Sequence, residues 1–94
     1  MAFRVIEILE GDTFKVFPNW SWHKESGNIV KIYDYESPEK GESRYEIAKK
    51  RLKNLIQNKK VEIKDPKDID KNKILIADIY YKGKNLIHYL SGKQ

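Results

Sequence analysis

Two carboxylates, Glu36 and Glu39, bracket a Ser37-Pro38 pair just where an apolar stretch beginning at Val30 runs out. Val30-Lys31-Ile32-Tyr33-Asp34-Tyr35 alternates with the period of two that a pleated strand imposes, Val30, Ile32 and Asp34 on one face, Lys31, Tyr33 and Tyr35 on the other. Pro38 cannot donate to a ladder and biases Ser37 toward extended backbone, so the strand is expected to end about there. Paired carboxylates beside backbone carbonyls suit a hard cation such as Ca²⁺. Taken alone, the same residues also read as a solvated acidic turn, the commoner fate of surface glutamate.

Three other stretches could carry chemistry. Trp20 and Trp22 stand at i and i+2, so extended backbone puts both rings on one face, either as a stacking platform for bases or as the cap of a small core. Core capping is the stronger reading, because tryptophan is buried on average. Asp68, Asp70 and Asn72 imitate the opening of an EF-hand loop, but Lys73 holds the glycine position and Ile79 the bidentate one, which excludes that site. His23 and His88 lack ligand spacing and read as structural or exposed. The chain has no cysteine, so thiolate chemistry, disulfides and zinc-finger spacings are excluded.

The 94 residues make one domain, 1–94, with a single modest core. Nineteen basic against fourteen acidic side chains leave a formal charge of +5, a moderate bias toward an anionic partner. No apolar run is long enough for a membrane span, and Phe3 to Leu9 reads as strand where a signal peptide would stand. No membrane partner is expected, and no compartment follows.

In chain order, Phe3 to Leu9 is a strand with Phe3, Val5 and Glu7 on one side and Ile6 and Ile8 on the other. Glu10-Gly11-Asp12 is a tight turn in which Gly11 can supply positive φ, and Thr13 to Phe17 completes a hairpin that Pro18-Asn19 breaks. Trp20 to Asn28 reads as a polar excursion. Ser43 to Glu46 fits a capping box, and Tyr45, Ala48, Leu52, Leu55 and Ile56 recur at helical spacing up to a stop at Asn58. Lys49, Lys50, Arg51 and Lys53 lie off that stripe, as a solvated basic face does. Val61 to Ile63 is a short strand, Asp65 to Asn72 a loop, and Ile74 to Tyr81 the longest strand, buried on both faces. Lys82-Gly83 turns the chain, and Asn85 caps a short helix carrying Leu86, Ile87 and Leu90 inward. The order predicts an α+β fold: a five-stranded OB-fold barrel with one helix between strands three and four and a short C-terminal helix.

Glu10-Gly11-Asp12-Thr13-Phe14, the strand into Ser37-Pro38-Glu39, the capped helix and Asp70 to Tyr80 together resemble the staphylococcal-nuclease-like (thermonuclease) family. Its marks are an Asp-Gly-Asp-Thr turn, a strand ending in Asp-(Thr/Ala)-Pro-Glu, and a later Asp-x-Tyr-Gly-Arg-x-Leu-Ala segment. The likeness covers nearly the whole chain in order; the family's further C-terminal helix is not among these residues. It implies an OB-fold that binds Ca²⁺ and cleaves phosphodiester bonds in DNA or RNA. It assigns Asp12 and Glu36 as metal carboxylates, Ser37 as the carbonyl ligand, and Glu39 as the residue that orients or deprotonates water. Glu36 replaces the family's aspartate, one methylene longer.

The family's two arginines are changed. Lys31 stands for the first, and ungapped alignment puts Ile74 at the second, with Lys73 one position away. Lysine keeps charge but lacks the planar fork that matches a phosphate. The resemblance and the changed arginines together lead to the expectation of a domain that binds nucleic acid, DNA or RNA, with weak or lost Ca²⁺-dependent hydrolysis. A single-stranded partner and a monomer are expected beside it. The alternatives are a working nuclease in which Lys31 and Lys73 replace the arginines, or a protein-interaction module that uses the Trp20–Trp22 loop.

Overall fold

The computed structural model describes residues 2–90. Six strands and two helices follow in the order β1 (Ala2–Glu10), β2 (Thr13–Trp22), β3 (Glu25–Ile32), α1 (Tyr45–Ile56), β4 (Lys60–Ile69), β5 (Ile74–Tyr81), β6 (Lys84–Asn85) and α2 (Leu86–Leu90). Antiparallel pairs join β2 to β3, β1 to β2, β1 to β4 and β4 to β5. A parallel pairing of β3 with β5, from Ile29 opposite Ile74 to Ile32 opposite Ala77, closes the sheet on itself. The result is a closed five-stranded barrel with α1 between β3 and β4, the OB-fold arrangement expected from the element order.

Closure needs strong local coiling, and the strands obtain it from bulges. In β1, Val5 pairs with Val16 and Glu7 with Lys15, which leaves Ile6 unpaired. That extra residue reverses the alternation: Phe3, Val5 and Ile8 point inward, while Ile6 is 41% exposed and Glu7 faces solvent. The expected grouping of Glu7 with Phe3 and Val5 is corrected for this reason. In β4, Lys64 pairs with Asp78, Pro66 with Ala77 and Asp68 with Ile76, so Asp65 and Lys67 are the extra residues. Asp65 takes φ 47° there. The segment read as a loop is therefore strand to Ile69, with the proline at a bulge, where a missing N–H costs least.

Pro18 likewise does not end its strand. The β2–β3 ladder skips from Lys15 opposite Ile29 to Trp20 opposite Gly27, and Pro18 lies in the unpaired stretch between. The stretch read as a polar excursion is the second half of this hairpin. His23 and Lys24 turn it, both at positive φ, 51° and 65°. Two consecutive left-handed residues match the twist of the flanking strands, a task usually given to Asn-Gly.

The barrel is filled by Phe14, Val16, Val30, Leu75, Ala77 and Ile79, each at most 1% exposed, and α1 closes one end with Leu52 and Ile56, both fully buried. The expected capping box is absent. Arg44 is the N-cap and makes no side-chain cap bond. Instead the Glu42 carboxylate accepts the Glu39 N–H at 2.8 Å, and the Glu42 N–H donates back to the Glu39 carbonyl at 2.9 Å. At the far end Asn58 adopts φ 65° and donates its N–H to the Val5 carbonyl, which stops the helix where expected. Asn85 Oδ1 accepts the Ile87 N–H at 2.9 Å and opens α2, with Leu86 and Leu90 buried.

Candidate functional site

β3 ends earlier than its alternation suggests. Ile32 is its last residue, and Asp34 turns the chain with φ 62°, a left-handed conformation that aspartate tolerates better than most residues. Residues 35–39 then run as irregular chain, so Asp34 belongs to a turn and not to a strand face. Two backbone bonds fix this exit: the Ile32 N–H donates to the Asp12 carbonyl at 2.9 Å, and the Tyr33 N–H to the Ala77 carbonyl at 3.0 Å. The β1–β2 turn, the end of β3 and β5 thus meet at one point.

Gly11 is buried at this junction, and its role is space. A Cβ at position 11 would lie 2.8 Å from the Ser37 Cβ and 3.0 Å from that of Ala48. The expectation of positive φ is corrected: Gly11 is not among the left-handed glycines, which are Gly41 and Gly83. A side chain would hold the 35–39 segment off the turn.

What this packing creates is an open cleft of about 780 Å³, lined by Glu10, Asp12, Lys31, Asp34, Tyr35, Glu36, Ser37, Pro38, Glu39 and Lys40. Five of the candidate residues, Asp12, Lys31, Glu36, Ser37 and Glu39, are brought together here. Asp12 is 6% exposed and its Oδ1 accepts the Thr13 hydroxyl at 2.9 Å. Glu36, Glu39 and Lys31 are exposed and Ser37 is half-buried. Burial pushes the Tyr35 hydroxyl above its ordinary pKa; the nearby Arg51 charge opposes that shift and the Asp12 carboxylate adds to it.

The cleft is acidic in a basic chain, with Glu10, Asp12, Asp34, Glu36 and Glu39 against Lys31 and Lys40. A phosphodiester entering it meets net repulsion unless a cation intervenes. The donors are hard oxygens, which suits Ca²⁺ in kind. Among the described residues, however, no three His, Cys, Asp or Glu side chains converge closely enough to hold a metal ion. A cation held by Asp12, Glu36 and the Ser37 carbonyl would complete its shell with water, an arrangement Ca²⁺ accepts at reduced affinity.

Three candidates lie elsewhere. Lys73 occupies the turn before β5 with φ 64°, and its Nζ sits 3.1 Å from Glu25 Oε1, at the opposite end of β3 from the cleft. Trp20, 2% exposed, donates Nε1–H to the Ile29 carbonyl at 3.0 Å, a core position with no ring face free for a base. Trp22 is half-buried beside His23, ring centroids 4.0 Å apart, also at that far end. Sequence reasoning missed Glu10, Asp34 and Lys40 on the cleft wall, and Glu42, which holds the Glu39 backbone; the Glu39-x-x-Glu42 spacing was the available signal.

No model of a known protein family matches the chain, and no curated protein matches it. No helix among the described residues is long and apolar enough to cross a membrane. The class defined by fold and geometry is an OB-type barrel with an acidic cleft at the exit of its third strand.

Proposed function

We propose that this domain is a staphylococcal-nuclease-like barrel that binds single-stranded nucleic acid at its acidic cleft and hydrolyses it weakly or not at all. One observation carries the reading. Asp12, Lys31, Glu36, Ser37 and Glu39, which the family likeness assigns to one reaction from separate stretches of chain, line a single cleft.

In this reading Asp12, Glu36 and the Ser37 carbonyl would hold Ca²⁺. When bound, the ion supplies positive charge against the phosphate and the negative charge that develops on it. Glu39, its backbone fixed by Glu42, stands ready to accept a proton from water. Lys31 offers a point charge to the phosphate in place of a bidentate fork. Neither position aligned with the second cation of the family pattern supplies one to the cleft, since Ile74 carries no charge and Lys73 pairs with Glu25. Loss of one preorganised donor costs about 10²–10³ in rate, which is why hydrolysis is expected to be poor.

The test is a fluorogenic single-strand cleavage assay with and without Ca²⁺, run beside binding measurements over a salt series. Ca²⁺-dependent binding with slow cleavage supports the proposal. Brisk cleavage makes the domain a working nuclease. No binding at low salt in Ca²⁺ overturns the reading in favour of a protein-interaction module.

A further inference from the structure

The wall formed by residues 35–38 has a second side. Tyr35 and Pro38, which line the acidic cleft, also line a smaller pocket of about 140 Å³ against α1, completed by Arg44, Ile47, Ala48 and Arg51. Positions 44, 47, 48 and 51 are spaced i, i+3, i+4 and i+7, so they form one stripe along the helix. This stripe is distinct from the buried one, Tyr45, Leu52 and Ile56. At 1.5 Å of rise per residue, Arg44 and Arg51 stand about 10 Å apart along the axis.

The pocket's chemistry is specific. Among the described residues neither Arg44 nor Arg51 makes an ion pair with a carboxylate. Arg51 is anchored, since its Nη1 donates to the Leu90 carbonyl at 3.1 Å. A guanidinium has five N–H donors in a fixed plane, so one anchoring bond orients the group and leaves the others available. Between the two arginines Ile47 is 61% exposed, one of the largest apolar exposures on the molecule. Tyr35 and Pro38 supply a ring and an apolar face opposite it. Two unpaired planar cations flanking an apolar floor match a sugar-phosphate with its base, not an acidic peptide alone.

We propose that this α1 pocket seats the nucleotide next to the one held in the acidic cleft. Arg44 and Arg51 take its flanking phosphates, and Ile47, Pro38 and the Tyr35 ring take its sugar or base. The inference rests on reading the cleft as a phosphodiester site and adds the strand's path: out of the cleft, over the 35–38 segment and along α1. It also places the planar donors missing beside Lys31 on a helix, one nucleotide away from the carboxylates.

The test uses the whole chain in Ca²⁺ with a ten-nucleotide single-stranded oligothymidine, titrated over a salt series. Each phosphate neutralised on a single strand contributes about 0.7 to the slope of log K against log[salt]. Arg44→Ala/Arg51→Ala should lower the slope by about 1.4 and weaken binding roughly tenfold at low salt, with the Ca²⁺-induced shift in melting temperature unchanged. Arg51→Ala could loosen α2 through Leu90, so Arg44→Ala alone, at an exposed position, should lower the slope by about 0.7 in a protein that melts like the parent. Arg51→Lys should keep the slope and lose part of the affinity. If the parent binds the oligonucleotide and both alanine variants bind it with the parent's slope, the pocket is not on the path. If the parent does not bind at all, the cleft reading falls with it.

Discussion

Gly11 and Ser37 meet so closely that a single added Cβ on the glycine would come within 2.8 Å of the serine Cβ. This contact seats the acidic segment on the β1–β2 turn. Both atoms are fixed by backbone, so neither can swing aside as a flexible side chain would. Overpacking of this kind costs about 1–3 kcal/mol. Gly11→Ala should lower stability by that amount in a denaturant titration, and Gly11→Ala/Ser37→Gly should recover part of it, a coupling that a mutant cycle measures. Additive losses would show that the two residues do not constrain each other.

Ca²⁺ should stabilise the wild type through the cleft. An ion that binds only the folded state adds RT ln(1 + [Ca²⁺]/Kd), about 2.7 kcal/mol at a hundredfold excess over Kd. Asp12→Asn is the cleanest control, because the amide oxygen can still accept the Thr13 hydroxyl while the charge is gone. Millimolar Ca²⁺ should raise the melting temperature of the wild type and not of this variant. Equal shifts would remove Asp12 from the site.

Restoring both arginines should raise cleavage. Ile74 lies opposite Ile29 and Ile76 opposite Lys31 in the β3–β5 pair, so positions 74 and 31 share the barrel's outer face on neighbouring strands. Ile74 is only half-buried there, which leaves an arginine a route to solvent. Lys31→Arg/Ile74→Arg in Ca²⁺ should cleave a single strand at least roughly tenfold faster than the parent, and adding Glu39→Ala should abolish the gain. A folded, Ca²⁺-responsive double variant with no gain would point to Glu36, one methylene longer than the aspartate of the family pattern.

Tyr35 supplies a pH test. Its folded pKa lies above the ordinary 10.0, chiefly because burial disfavours the phenolate. The folded state therefore holds this proton more tightly than the unfolded chain. The stability this provides is complete below pH 10 and is lost as pH rises through the folded value. Tyr35→Phe should consequently show a shallower fall in melting temperature above pH 10 than the wild type. Parallel curves would mean that the hydroxyl is as free in the fold as in the unfolded chain.

Periodicity reveals a strand only while its phase holds. The phase of Ile74 to Tyr81 never breaks, and its limits could be read directly from the residues. The expectation of the longest strand, buried on both faces, is corrected: β2 and β4 are longer, and every second side chain of β5 is only half-buried on the outer face. β1 loses phase at Ile6, because the unpaired residue that coils the barrel leaves no mark in the sequence. The β2–β3 turn was hidden for a different reason: His23 and Lys24 adopt left-handed backbone without the Asn-Gly that advertises it. Pro66 concealed β4 because a strand proline is tolerated only at an edge or a bulge, and the bulge itself is a tertiary fact. Asp12, Glu36 and Glu39 were legible because their types and order carry the chemistry, whereas Glu10 and Asp34 join the cleft only through the fold. The position of Lys73 was not, since its partner Glu25 lies on a hairpin whose turn could not be seen.

The parallel seam between β3 and β5 also governs when the cleft can exist. Every residue lining it falls between Glu10 and Lys40. Yet the strand exit that carries those residues is tied down by the Ala77 carbonyl, and the seam joins partners such as Ile29 and Ile74, 45 positions apart. Local hairpins close early, whereas a contact across so long a loop carries the larger entropic cost and forms late. During synthesis, then, a chain extended to Ile69 already contains the full set of cleft side chains and lacks the Ala77 carbonyl that completes their anchoring. The cleft is therefore expected to take its final shape only as β5 emerges, so an unfinished chain carries these side chains without the full geometry that groups them.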